Sequence, residues 1–379
     1  MKVLLIGEYS RFHNSLKEGL IALGHEVTLV GSGDLFKNYP VDIDISPKWI
    51  TANKVTTFLR KAVYKLTSID LALYETGYRF WKQRKMMQGY DTVQLINSWS
   101  IRTTVAKEKK CISFLEKHNG KLFLSACGTD TAWVESLFKD DLPYNLLTPY
   151  LKDKSLAANY ASVLDYLRPE RKSLYAFVTQ KVHAIIPTDM DYYLGLKGMS
   201  KVTSLIPTPV NLGKLDIPSV DTEGPLIIFH GINRMNYLKK GNDVFEKALH
   251  IIETKYADKI KVITVESLPY QEYIKAYDRA HVLLDQVYSH DQGYNALEAM
   301  AKGKIVATGA GLHFTTHYGL TVAVALDASP DPSLIASQIE QMILHPEERL
   351  QMVESAQAFV RTHHDHIEVA RQYLNIWSS

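Results

Sequence analysis

Apolar residues in this chain fall into short runs separated by stretches of helical period, and the alternation occurs twice. Val3–Gly7 reads as a buried strand. Leu16, Leu20 and Leu23 follow at helical spacing within Asn14–Leu23, Gly24 closes that helix, and Glu26–Val30 reads as a second strand. Further strands are expected at Thr92–Ile96, Leu122–Ala126 and His183–Ile186, and Val202–Gly213 reads as a strand running into a proline-marked crossing segment. The pattern restarts with a strand at Leu226–Phe229, a helix at Asn242–Tyr256, a strand at Ile260–Val265 and a helix at Tyr270–Arg279. A strand at His281–Leu284, a short helix at Tyr294–Lys302 stopped by Gly303, and a strand at Ile305–Ala307 complete the second series. Alternating strands and helices imply α/β units with parallel sheets. Two series imply two Rossmann-like domains, at 1–206 and 226–364, with a linker at 207–225 and a final helix within 365–379.

Composition narrows the picture only slightly. The 379 residues suffice for two cores, and 46% hydrophobic and 22% charged residues are ordinary for a globular protein. A net charge of +2 sets no global preference of sign. Cys111 and Cys127 have no spacing that suggests a metal or a disulfide framework, so a reduced, cytoplasmic compartment is expected. The apolar run after Met1 is too short for a signal-peptide core, and no stretch approaches the roughly 18 apolar residues of a membrane span. A soluble or peripheral protein is therefore expected. Gly7 is followed by Glu8-Tyr9-Ser10-Arg11-Phe12, so the G-x-G-x-x-G dinucleotide fingerprint is absent and a nicotinamide or flavin cofactor is not expected.

Candidate chemistry concentrates between His281 and Gly309. A strand, a polar loop (Ser289 to Gly293), a short helix and another strand place a helix start at the carboxyl edge of a parallel sheet, where open α/β sheets bind ligands. Free N–H groups and the positive dipole end suit a phosphate. Glu298, about one turn into that helix, suits sugar hydroxyls. The run from Leu297 to Lys304 resembles the donor-binding signature of retaining glycosyltransferases of the GT-B fold, in the large family 4 group. There a second glutamate usually stands eight residues earlier; here that position is His290, with Asp291 beside it.

The resemblance implies two Rossmann-like domains facing across a cleft, with the C-terminal helix returning to the first. It also implies that Gly231, His290, Asp291, Gly293, Tyr294, Asn295 and Glu298 bind a nucleotide-diphosphate sugar. Arg234 and Lys240, the latter followed by Gly241, match an arginine and a Lys-Gly pair that stabilise the leaving diphosphate in the family, with one residue more between them than in the commonest form. Lys239 fits the commoner spacing but lacks the following glycine. Arg234, Lys240 and Glu298 are therefore the catalytic candidates, with no metal and no cofactor implied. On the first domain Asp130 follows a strand in a Gly-Thr-Asp turn and is a candidate for acceptor contact or for a helix cap. Arg11 and His13, on the loop after the first strand, are acceptor-side candidates. His363 to His366 looks like a metal tract but reads better as a solvated junction.

Residues 48–88 hold nine basic residues against Asp70 and Glu75, interleaved with aromatics. Such a stretch can lie on an anionic membrane surface or hold a lipid-linked acceptor, while no nucleic-acid motif accompanies the charge. The expected activity is transfer of a sugar to an acceptor hydroxyl with retention, in cell-surface polysaccharide or glycolipid synthesis, at the inner face of a membrane. A sugar-nucleotide 2-epimerase of the same fold and an inactive binding module are the alternatives.

Overall fold

The computed structural model describes residues 1–34, 38–215, 224–266 and 275–379. Six strands, β1 (Lys2–Ile6), β2 (Glu26–Gly31), β3 (Ile43–Asp44), β4 (Thr92–Leu95), β5 (Lys121–Ala126) and β6 (Ala184–Pro187), form one parallel sheet in the order β3-β2-β1-β4-β5-β6. Five more, β7 (Leu226–Ile232), β8 (Ile260–Glu266), β9 (Val282–Leu284), β10 (Ile305–Thr308) and β11 (Leu326–Asp327), form a second in the order β11-β10-β9-β7-β8. Every pairing is parallel. Both orders are doubly wound, and the fold is GT-B.

Helices cover both faces of the first sheet, so its central strand is apolar on both sides. Leu4 and Ile6 of β1 enter one core and Val3 and Leu5 the other, as the two-residue period of a strand requires. The second core is completed by the C-terminal helix, His366–Ser378, through Val369, Tyr373 and Trp377. This helix returns to the first domain and crosses the helix Phe12–Ala22 at Gly19. A Cβ there would stand 2.0 Å from the carbonyl oxygen of His366, so only glycine permits the crossing. Trp377 donates its indole N–H to the buried Gln94 side chain at 2.9 Å.

Two expectations change. Val202–Gly213 is not a strand: Val202 bridges Ile185 and Val210 bridges Asp365, but Pro207 and Pro209 cannot donate to a ladder. The His363–His366 junction is not solvated. His364 is buried, its Nδ1 lies 2.8 Å from the Thr208 carbonyl, and its own carbonyl accepts from the Val210 N–H at 2.7 Å. Burial lowers its pKa to about 4, so it is neutral, and Asp365 caps the final helix. β3 and β11 contain two residues each, too few to leave a period in the sequence. Of the helix expected at Tyr270–Arg279, residues 270–274 lie outside the described residues and 275–278 are helical; of the expected linker, residues 216–223 lie outside them.

Candidate functional site

In a doubly wound sheet the crevice opens where neighbouring strands send their connections to opposite faces. In the second sheet that point lies between β7 and β9, and in the first between β1 and β4. The loops leaving β7 and β9 meet closely. The Val287 N–H donates to the Lys240 carbonyl at 2.9 Å, and a Cβ on Gly241 would stand 2.5 Å from Cβ of Val287. Gly241 also has φ 71°, which glycine adopts without strain. The Lys-Gly pair is thus explained by backbone approach as well as by charge.

Lys240 Nζ donates to Asp285 Oδ1 at 2.9 Å, and Asp285 is buried at the end of β9. A Cβ on Gly293 would lie 3.6 Å from the other oxygen of Asp285, so this ion pair borders the start of the helix Tyr294–Ala301. No side chain caps that helix. Its uncapped N–H groups, its dipole and the lysine converge on one place, which suits a polyanion. Asp285 had no motif to reveal it; only its position after an apolar strand could have done so.

Further along the helix, Leu297, Ala299 and Met300 are buried while Glu298 remains partly exposed. Arg11, Tyr39 and Tyr294 all feel the Glu298 charge. The Tyr294 hydroxyl lies 3.3 Å from Oγ of Ser15, across the domain boundary. Arg11 itself forks onto Glu18 at 2.9 and 3.1 Å. The fold therefore brings Glu298, Tyr294 and Arg11 together. Asn295 is exposed, and Gly231 lies within β7, paired with Val265.

His290, Asp291 and Arg234 are placed differently from expectation. His290 is buried, stacked on Tyr144 with ring centroids 4.7 Å apart, and Nε2 lies 3.0 Å from the Tyr144 carbonyl. Its backbone N–H donates to Asp191 at 3.0 Å, and Ser289 donates its hydroxyl to the same carboxylate. Asp291 accepts from the Met190 N–H at 2.8 Å. Both side chains thus clasp the two domains together. Burial pushes Asp291 up to about 7 and raises Asp189 and Asp191, each of which also feels neighbouring charge. Arg234 is exposed and makes a two-point pair with Glu266 at 2.6 and 2.7 Å, on the edge-strand side of β7 away from Lys240. Lys239 is half-buried, burial lowers its pKa, and no hydrogen bond or ion pair reaches its amine among the described residues.

On the first domain Asp130 is both a cap and a clip. It accepts from the Thr131 N–H at 2.8 Å and from the N–H and hydroxyl of Ser98 at 2.7 and 2.5 Å. These bonds occupy both oxygens, so its evident role is in joining the loops after β4 and β5 rather than in acceptor contact. His13 is fully buried with Nδ1 2.7 Å from the Gly7 carbonyl, and burial lowers its pKa to about 4; it does not reach the cleft surface. Sequence reasoning missed Arg102. Its Nε donates to the Tyr9 hydroxyl at 3.0 Å, and the same hydroxyl accepts from Asn97 at 3.1 Å. These residues tie the loop after β1 to the loop after β4, at the crevice of the first sheet. Ser10, Arg11, Asp34 and Arg102 all have positive φ there, a concentration of backbone strain typical of functional edges.

Residues 236–375, which contain Lys240, Asp285 and Glu298, match the family model described as glycosyl transferase-like. Comparison with curated proteins gives no match. Solved structures resemble the whole chain. Sucrose-phosphate synthase from Thermosynechococcus elongatus aligns with 100% of this chain and 98% of its own, at 16% identity and a TM-score of 0.61. HepE from Anabaena, in complex with UDP and glucose, aligns with 100% of this chain and 99% of its own, at 11% identity and a TM-score of 0.58. A glycosyltransferase from Rickettsia africae covers 99% and 97%, at 14% identity and a TM-score of 0.50. Identities this low establish a shared fold.

Proposed function

We propose that this protein transfers a sugar from a nucleotide-diphosphate donor to an acceptor hydroxyl, with retention at the anomeric carbon. The observation that carries the reading is the convergence of Lys240, Asp285 and the uncapped helix start at Gly293 within a segment that matches the glycosyl transferase-like family. The complex of HepE with UDP and glucose favours a uridine diphosphate sugar as the first donor to test.

In this reading the diphosphate lies against the Lys240 amine and the free N–H groups of the helix Tyr294–Ala301, and Glu298 accepts hydrogen bonds from ribose hydroxyls. As the glycosidic bond to phosphate breaks, charge builds on the leaving oxygen. A preorganised lysine and helix dipole stabilise that charge without reorganising. No metal is assigned a part. The acceptor hydroxyl attacks from the same face, and the departing phosphate takes its proton, so the protein supplies position and charge. Arg234 joins the diphosphate after leaving Glu266, an exposed pair and hence a weak one. His290 and Asp291 contribute backbone geometry to the sugar pocket while their side chains hold the domains. The acceptor is a glycan or a lipid-linked saccharide in cell-surface polysaccharide or glycolipid synthesis, met at the inner face of a membrane.

Calorimetric titration with UDP, GDP, ADP and their glucose conjugates tests the donor. One nucleotide series is expected to bind, with binding weakened by Lys240→Ala. Folded protein that binds none of them overturns the reading.

A further inference from the structure

Two helices, Lys54–Thr67 and Leu71–Gln83, follow β3 and begin from the carboxyl edge of the first sheet. The first is inside out. Thr56, Thr57, Arg60, Ala62 and Val63 are its partly covered positions, and Arg60 is held by Asp70 at 2.7 Å through two nitrogens. Four of its large apolar side chains face away: Val55 is 76% exposed, Phe58 73% and Leu66 85%, with Leu59 beside them. No residue of this helix is buried. An ordinary surface helix turns its apolar stripe to the core. At ~100° per residue these apolar positions form one arc of about 100°, and Lys54, Lys61 and Lys65 continue it on one side.

We propose that this face docks on the surface of an anionic lipid bilayer. Three observations favour a bilayer over a second copy of the chain. Lys54, Lys61 and Lys65 make no ion pair with any described residue. The only acidic residues of 48–88 are already used, Asp70 by Arg60 and Glu75 by the N–H groups of Lys48, Trp49 and Ile50 at 2.7, 2.7 and 2.9 Å. Pairing two such faces would therefore set lysines against lysines, whereas anionic headgroups neutralise them. The third observation is the exposed Trp49 beside the exposed Tyr78, ring centroids 5.4 Å apart, the residue types that favour the bilayer interface. No helix among the described residues is long and apolar enough to cross a membrane, so this face lies in the interface plane. The proposal does not depend on the donor site.

Flotation with vesicles of equal parts phosphatidylcholine and phosphatidylglycerol tests it, with pure phosphatidylcholine vesicles as the reference. The protein is expected to float with the anionic vesicles and to be released by high salt. Phe58→Ser with Leu66→Ser should abolish flotation, and Lys54→Gln, Lys61→Gln and Lys65→Gln together should weaken partitioning by about a hundredfold. Thermal melting and nucleotide binding of both variants should match the parent, because the replaced side chains are exposed and outside the cleft. Absence of flotation by the parent overturns the proposal. So does unchanged flotation of the Phe58→Ser, Leu66→Ser variant, or a dimer in sedimentation that the same variant disperses without any vesicle binding.

Discussion

At the scale of single residues, the informative feature is which charges find partners inside the protein. Lys240 and Gly241 stand out in the sequence as a Lys-Gly pair, but the partner of the lysine, Asp285, lies 45 residues away and follows no motif. Lys240→Ala is expected to lower turnover by about a hundredfold or more, the usual effect of removing one preorganised group from charge developing in a transition state. It should also lower the melting temperature, since a buried Asp285 without its partner costs about 1–3 kcal/mol. Steady-state kinetics and thermal unfolding on one preparation separate the two effects, and parent-like turnover would remove Lys240 from the mechanism. Arg102 was illegible because its value comes from a loop that meets Tyr9 only in three dimensions. Arg102→Leu is expected to raise the acceptor KM with little change in donor affinity, which initial rates at varied acceptor concentration would measure. Residue type likewise marked His290 and His13 as candidates, while burial decided that each serves the protein interior.

At the scale of elements, the periodic pattern located most strands and helices, since a strand buried on both faces and a helix with one apolar side leave different spacings. It could not tell which side of the helix Lys54–Thr67 faces inward, because that depends on what the neighbouring helix offers. The start of the helix Val105–His118 gives a pH prediction. Glu108 is buried there and accepts N–H bonds from Ile101 and Thr103 at 2.8 and 3.1 Å, yet burial dominates and raises its pKa to about 8. In the unfolded chain this carboxyl ionises near 4.5. Between the two values the folded protein holds a proton that the unfolded chain has lost, so stability falls as pH rises through that window. Glu8, raised to about 8 by burial, acts with the same sign. His13 and His364, both near 4, act oppositely, but only below the ordinary histidine value near 6.5. From pH 6.5 to 8 the carboxyl effect stands alone among these groups. Urea midpoints should therefore drop over that range, and Glu108→Gln should flatten the drop; an unchanged slope would refute the assignment.

At the scale of the whole molecule, the two domains are joined by more than the linker. Asp191 of the first domain receives Ser289 and His290 of the second, and Asp291 reaches back to Met190. Asp191→Ala is expected to loosen this clasp, enlarge the radius of gyration in solution scattering and weaken donor binding about tenfold, a typical coupling between a domain equilibrium and a ligand. Unchanged scattering would show that the contacts do not set the domain angle.

The sequence by itself determined the two α/β series, the return of the chain to a second sheet, and the signature around Lys240 and Glu298. These follow from local periodicity and from residue types whose chemistry is the same wherever they fall. Tertiary structure alone decided that Arg234 faces Glu266, that His290 and Asp291 join domains, that Arg102 reaches the crevice, and that an apolar helix face points outward. Each of those outcomes depends on which groups meet across long chain separations, and on whether a buried charge finds its partner in the protein or is left for a ligand.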